Sequence, residues 1–307
     1  MVTMGLMVTF FIVSLVVVSF SIGFYKAYTH PSQKGKGKGA QQVAHVKLEG
    51  VIVSTRDWSD SRCVSANEIL KILEDISKDE NIKGILLEID SPGGTPVASQ
   101  DIAKAIHSSP LLRQIPTVAW IREVGASGAY WVASACDYIV ASPLSITGSI
   151  GVLANNFGFE DTLQALHIRY RRQVAGNMKD IGDPFRTQTE NEIQYMQHVL
   201  DQIHQKFIQE VGVHRKFEGD WAKDLANGIF FTGEDALKHK LIDKLGSKEE
   251  ALDWMRRTLK APTIELVDFK KSSPLLDWLH SEVRTLAQEF VNAIKISMLQ
   301  NQTTIRT

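Results

Sequence analysis

The chain contains only two cysteines, Cys63 and Cys136, far apart and with no CxxC pair. That excludes a cysteine-rich zinc site and a disulfide scaffold. It has no HExxH, no Walker loop and no EF-hand loop, and its nine histidines are scattered without ligand-like pairing. Neither sign of charge dominates. Thirty-four basic against thirty-five acidic side chains leave a net charge of −1, so a whole-protein electrostatic grip on nucleic acid is excluded. No solenoid-period repeat is present. What remains is 307 residues of ordinary globular composition, 44% hydrophobic and 22% charged. That is enough for one large α/β domain with appendages.

Charge is also missing locally. From Met1 to Tyr25 there is no charged side chain, and most positions are Val, Leu, Ile, Phe or Met. A bilayer core takes about 20 apolar helical residues. A cleaved signal peptide has a basic start and a shorter apolar stretch, so residues 1–25 read as an uncleaved transmembrane anchor. Residues 26–42 read as a flexible Lys/Gly-rich tether; their GxGxG spacing lacks the flanking strand and helix of a phosphate loop. Lys26, Lys34, Lys36 and Lys38 follow the apolar run and by themselves favour a cytoplasmic location for that side.

Beyond the tether, strand and helix patterns alternate. His45–Val53 alternates as a strand, and Ser65 with Glu68 reads as a capping box ahead of the helix face Ile69, Leu70, Ile72, Leu73 and Ile76. Gly84–Asp90 is a buried-strand run ending in Ser91-Pro92-Gly93-Gly94. Val97–Ile106 predicts a helix, and Thr117–Ile121 a strand. Gly125–Cys136 predicts a small-residue helix, and Tyr138–Ala141 another strand. This rhythm predicts an α/β fold with a mainly parallel sheet. Active groups in such sheets gather at the carboxyl ends of strands, where Ser91–Gly94 and Val124–Ser127 lie. Later, Thr189–Val213 and Leu275–Leu299 show helical periodicity, and Arg169–Arg172 reads as a strand with one polar face. Asp137 reads as structural.

Ser127 stands between Gly125 and Gly128 at a predicted strand-to-helix junction. The glycines let a substrate backbone approach, and the first turn of a helix offers free N–H groups. Ser91–Gly94 can likewise turn backbone N–H groups outward. Neither segment alone is specific. In order with Ser145-Ile-Thr-Gly-Ser-Ile-Gly-Val152 and Gly176-Asn-Met-Lys-Asp-Ile-Gly-Asp-Pro184, however, they form a set over some two hundred residues. That set, from about Val43 to Leu259, resembles the signal peptide peptidase A family of Ser/Lys peptidases, whose fold is related to Clp protease and the crotonases.

The resemblance implies that Ser127 is the nucleophile and Lys179 the general base, with Ser149 orienting the lysine and the Gly94 and Gly128 N–H groups forming the oxyanion hole. Ala129 and Thr95 depart from the glycines common in the family and bear on pocket shape. The chemistry is coherent. A serine hydroxyl needs a base to take its proton, and a lysine can serve only when neutral, which burial against apolar walls favours. The implied organisation is a peptidase domain at 43–262 and a helical extension at 263–307. The implied partners are peptides, remnant signal peptides and other short hydrophobic segments as substrates, the lipid bilayer through residues 1–25, and a ring-like homo-oligomer. No nucleic acid, metal or organic cofactor is implied. The resemblance places the domain on the extracytoplasmic side of a bacterial inner membrane, against the lysine signal. Two other readings share the fold: a crotonase-like acyl-CoA enzyme and a non-catalytic membrane scaffold.

Overall fold

Side-chain alternation along parallel strands decides the layering of this protein. The computed structural model describes residues 40–56 and 62–269. β1 (Gln41–Glu49) passes at Gly50 into β2 (Val51–Val53), and β3 (Cys63–Ser65) leads directly into α1 (Ala66–Lys78). β4 (Ile82–Ser91), α2 (Pro96–Ser108), β5 (Thr117–Ala126), α3 (Gly128–Ser134) and β6 (Tyr138–Ala141) continue the β-α-β rhythm. After β7 (Ile146–Gly148) comes a long exposed arm holding the short α4 (Glu160–Ala165), and then the 26-residue α5 (Glu190–Arg215). α6 (Trp221–Leu225), β8 (Phe230–Thr232), α7 (Gly233–Lys238), β9 (Lys244–Leu245), α8 (Lys248–Thr258) and β10 (Ile264–Asp268) follow.

The strands order as β10-β1-β4-β5-β6-β9, all parallel. β6 pairs with the first half of β5 and β7 with its last residues, so the sheet forks beside the end of β5. β8 adds to β7 antiparallel. Both faces are covered, which is why these strands read as near-continuous apolar runs. On one face Val46, Leu48, Ile85, Leu87, Ala119 and Ile121 bury in a core shared with α1, α2 and α3. On the other, Val43, Leu86, Val118 and Val140 meet Ala251, Leu252 and Met255 of α8.

That second face turns polar beside α8. Buried His45 lies between two carboxylates, with Nδ1 2.6 Å from Asp268 Oδ1 and Nε2 2.8 Å from Glu88 Oε2. Lys248 Nζ donates to Glu88 Oε2 at 3.0 Å. Burial pushes the Glu88 carboxyl up, but the hydrogen bonds from Lys248 and His45 outweigh it, and the group ends below the ordinary glutamate value. Its contribution to stability is therefore complete above about pH 4.5 and lost as pH falls through the lower folded-state value. Glu88→Gln is expected to reduce the unfolding free energy at neutral pH by roughly 2–3 kcal/mol. The gap to the wild type should narrow on acidification, and urea titrations showing a gap unchanged down to about pH 3 would contradict this account.

Several local expectations change. Ser65 does precede α1, but its hydroxyl makes no cap bond. It donates instead to the Ser54 carbonyl at 3.1 Å, because β3 holds it against the segment after β2. The helix expected from Gly125 begins at Gly128, since Gly125 and Ala126 are claimed by pairing with Thr147 and Gly148. Arg169–Arg172 is not a strand: among the described residues no neighbouring strand offers it a ladder, and Tyr170 and Arg172 bond to Asp183 and Asp180 of the same arm. β1 takes in Gln41 and Gln42 from the end of the expected tether, and β10 draws Ile264–Asp268 into the sheet. The apolar run Met1–Tyr25 and the stretch Leu275–Leu299 lie outside the described residues. Among the described residues no helix is long and apolar enough to cross a membrane.

Candidate active site

Because β4 and β5 are adjacent and parallel, the segments after them leave the same edge of the sheet side by side. Ser127 is the junction between β5 and α3, with φ 53° and ψ −125°. Positive φ is rare for a residue with a side chain and persists only where its surroundings over-determine it. Here they do. The Ser127 N–H donates to Gly148 O at 2.8 Å, and its carbonyl accepts from Trp131 N at 3.0 Å. α3 is buried along its whole length, with Tyr130 Oη donating to Leu241 O at 2.8 Å. The Trp131 ring stacks on Phe207 of α5, and its Nε1 donates to Glu210 Oε2 at 2.9 Å. The serine thus sits on a platform that cannot relax locally.

Ser149 follows the glycine that holds Ser127, and it too has positive φ, at 51°. Its N–H donates to Ile229 O at 2.8 Å and its hydroxyl to Gly228 O at 3.3 Å. Thr147 Oγ1 donates to Gly125 O at 2.7 Å, tying β7 to the last residues of β5. The two serines are therefore brought together through one peptide unit.

The Ser91–Gly94 turn closes over the other side of Ser127. Gly93 has φ 102°, and a methyl group on it would lie 2.9 Å from Ser127 Cβ and 2.7 Å from Gly128 N. A methyl on Gly94 would fall 1.9 Å from Ile52 O, and one on Gly128 would fall 2.2 Å from Ser99 Oγ and 3.2 Å from Gly94 N. Glycine at these points is required by close approach. The Gly94 and Gly128 amides stand next to each other, and neither N–H finds an acceptor among the described residues. Gly94 is exposed and Ser127 partly so. Two unpaired, rigid N–H donors beside a serine hydroxyl can hold a negative oxygen that develops on an attacked carbonyl. Gly94→Ala must displace the Ile52 strand or the amide. It is expected to lower kcat about 10²–10³-fold in a peptide-cleavage assay, and unchanged turnover would show that this amide takes no part.

Of the residues singled out from the sequence, Ser127, Ser149, Gly94 and Gly128 are gathered here. Lys179 is elsewhere in the described chain. It is exposed on the arm between β7 and α5, in a turn closed by its own N–H donating to Gly176 O at 3.1 Å. No hydrogen bond joins its amine to Ser127 or Ser149 among the described residues. α5 supplies a ruler. His204 Nε2 lies 3.1 Å from Ile150 O beside Ser149, whereas the Lys179 turn is tied to Glu192 by Arg186, which bonds both Asp180 and Glu192. At 1.5 Å per residue those two points on the helix are about 18 Å apart.

No histidine hydrogen-bonds Ser127 among the described residues. Asp137 accepts from Thr117 N at 2.7 Å and Thr117 Oγ1 at 2.9 Å, which is a structural role. Cys136 is buried, and burial pushes its thiol upward, leaving it inert. No group of three or more His, Cys, Asp or Glu able to hold a metal ion occurs among the described residues. Gly93, Gly148 and Ser99 were not legible as site residues. Gly93 and Gly148 lie inside the motifs, but their roles are backbone geometry, and Ser99 carries no local signal.

Comparison with known proteins identifies the family. The model of Peptidase family S49 matches residues 111–261. A Methanocaldococcus jannaschii protein with a provisional protease name is 35% identical over 75% of this chain and 75% of its own. An Enterococcus faecium protein with a provisional signal peptide peptidase name is 27% identical over 81% of this chain and 73% of its own. Protease 4 of Haemophilus influenzae is 28% identical over 69% of this chain, which spans 34% of that longer protein. A serine on a strained strand-to-helix junction, flanked by unpaired glycine amides, is thus carried by a chain that belongs to peptidase family S49, the signal peptide peptidase A family.

Proposed function

We propose that this chain is a membrane-anchored serine endopeptidase of Clp protease/crotonase-like fold, working through a Ser127–Lys179 dyad. The observation that carries the reading is Ser127 at φ 53° beside the unpaired Gly94 and Gly128 amides. In the proposed reaction Ser127 Oγ attacks the peptide carbonyl carbon as neutral Lys179 Nζ takes its proton. The oxyanion rests on the two amides. The C–N bond then breaks, and the lysine ammonium gives its proton to the departing amine. Water, deprotonated by the same lysine, attacks the acyl ester; the ester C–O bond breaks, and the lysine ammonium returns the proton to Ser127 Oγ. Ser149 orients the amine without adding charge.

Lys179 on an exposed arm favours delivery of the base to a neighbouring protomer in a ring-like homo-oligomer. The point of α5 that holds the Lys179 turn and the point beside Ile150 are about 18 Å apart along the helix, and among the described residues no hydrogen bond joins the Lys179 amine to Ser127 or Ser149. Several arm side chains, including Leu153, Phe157, Leu166 and Met178, are exposed in the single chain, and covering them would supply the apolar surroundings a neutral amine needs. Substrates are read as remnant signal peptides and other short hydrophobic segments, in keeping with the name of the Enterococcus relative. Residues 1–25 as anchor and a tether of about 15 residues, reaching at most roughly 50 Å, would keep the domain near the bilayer, on the extracytoplasmic side.

A fluorophosphonate probe tests the reading. Labelling at Ser127, with digestion of a hydrophobic peptide that disappears in Ser127→Ala, is the expected result. An acyl-CoA enzyme of related fold would bind CoA and leave Ser127 unlabelled.

A further inference from the structure

The arm that carries Lys179 is exposed over most of its length, yet one point of it is tightly built. The Arg186 guanidinium uses all five of its N–H groups. Nε donates to Asp180 Oδ2 at 2.9 Å and Nη2 to the Asp180 carbonyl at 2.9 Å. Nη1 donates to Glu192 Oε2 at 2.9 Å and to Thr187 O at 3.2 Å, and Nη2 also donates to Glu192 Oε1. Asp180 follows Lys179 directly, and its carboxylate accepts from Arg172 Nη2 at 2.6 Å as well. The two guanidinium groups hold the Asp180 carboxyl well below the usual carboxylate range.

Glu192 anchors the other end. Its side chain is 3% exposed, and its Oε2 accepts from Thr189 N at 2.8 Å and Thr189 Oγ1 at 3.0 Å in the capping box that starts α5. Hydrogen bonds from Arg186, then those from Thr189, lower its carboxyl to about 2. From there α5 runs to Phe207 and Glu210, which grip Trp131 of the helix that Ser127 begins. A continuous path of contacts thus joins the Lys179 turn to the Ser127 platform. A cap for α5 needs only Thr189 and Glu192; it does not need both the carbonyl and the carboxylate of Asp180 held by one side chain.

We infer that Arg186 is a positioning residue for Lys179, fixing the lysine's backbone against the start of α5 by clamping Asp180 to Glu192. This rests on the reading of Lys179 as the base, whichever protomer's Ser127 it serves. Misplacing a reacting group by about 1 Å costs about 10²-fold in rate. Arg186→Ala in the full-length protein is therefore expected to lower kcat for peptide cleavage, and the rate of fluorophosphonate labelling at Ser127, about 100-fold, with little change in KM. Arg186→Lys, which keeps the charge but not the fork, should recover only a small part of that loss.

The deciding measurement is a double-mutant cycle on the labelling rate. With Lys179→Ala already in place, adding Arg186→Ala should slow labelling no further, because nothing is left to position. An equal 100-fold loss in both backgrounds, or a wild-type rate in Arg186→Ala, would overturn the inference. A wild-type rate in Lys179→Ala would instead remove the base reading itself. If Arg186→Ala does not fold, judged by circular dichroism, Asp180→Asn takes its place in the same cycle with the same two deciding outcomes.

Discussion

Ser127→Ala is expected to lower kcat by about 10⁵-fold or more while leaving fold and thermal stability close to those of the wild type. The loss is large because the hydroxyl is the only atom that becomes covalently bonded to substrate in the proposed reaction. What survives is the contribution of oxyanion donors and binding, which in such sites leaves a small rate over water. The fold should tolerate the change because, among the described residues, no hydrogen bond of the Ser127 side chain holds the junction; its backbone N–H and carbonyl do that, through Gly148 and Trp131. Peptide digestion followed by mass spectrometry, with a thermal melt of the same sample, checks both halves. Substantial turnover by a folded Ser127→Ala protein would remove the nucleophile from this site.

The second large effect concerns where the base comes from. Ser127→Ala and Lys179→Ala proteins should each be nearly inactive, the lysine variant by about 10³-fold or more. Co-assembled in equal amounts, they are expected to regain about one quarter of wild-type activity. In a ring with head-to-tail contacts, each site then needs an intact serine on one protomer and an intact lysine on its neighbour, each with a chance of about one half. If serine and lysine instead met within one protomer, every site in the mixture would lack one of them and no activity would return. The arm favours a shared site: Lys179 is exposed, and Arg186 ties its turn to the first turn of α5, far along that helix from the contact with Ile150. A mixture as inactive as its components, with mixed oligomers demonstrated by native mass spectrometry, would place the base in its own subunit.

Much of the architecture is legible in the sequence. The apolar runs at Gly84–Asp90 and Tyr138–Ala141 appear as strands within β4 and as β6, because continuous apolar segments of that length are what doubly covered parallel strands require. Thr189–Val213 appears as α5, two residues longer at its C-terminal end, since helical periodicity survives any packing arrangement. Ser91–Gly94 and Ser127 meeting at one sheet edge followed from parallel topology alone. The misreadings have a common cause. At Ser65, at Gly125 and at Arg169–Arg172 the outcome turned on whether a partner from elsewhere in the chain was present to take a hydroxyl, a strand end or a ladder.

By itself the sequence determined the parallel α/β class, the order of the motifs and the identity of the chemical groups, because these depend on side-chain type and periodicity along one strand of chain. Only the tertiary structure decided that Ser127 adopts positive φ, that Gly148 fastens it next to Ser149, and that the Gly94 and Gly128 amides find no acceptor among the described residues. It also decided that Lys179 stands apart on an arm clamped by Arg186. Those are properties of backbone geometry and long-range contact, set when distant segments close on one another, and no local pattern of residues encodes them.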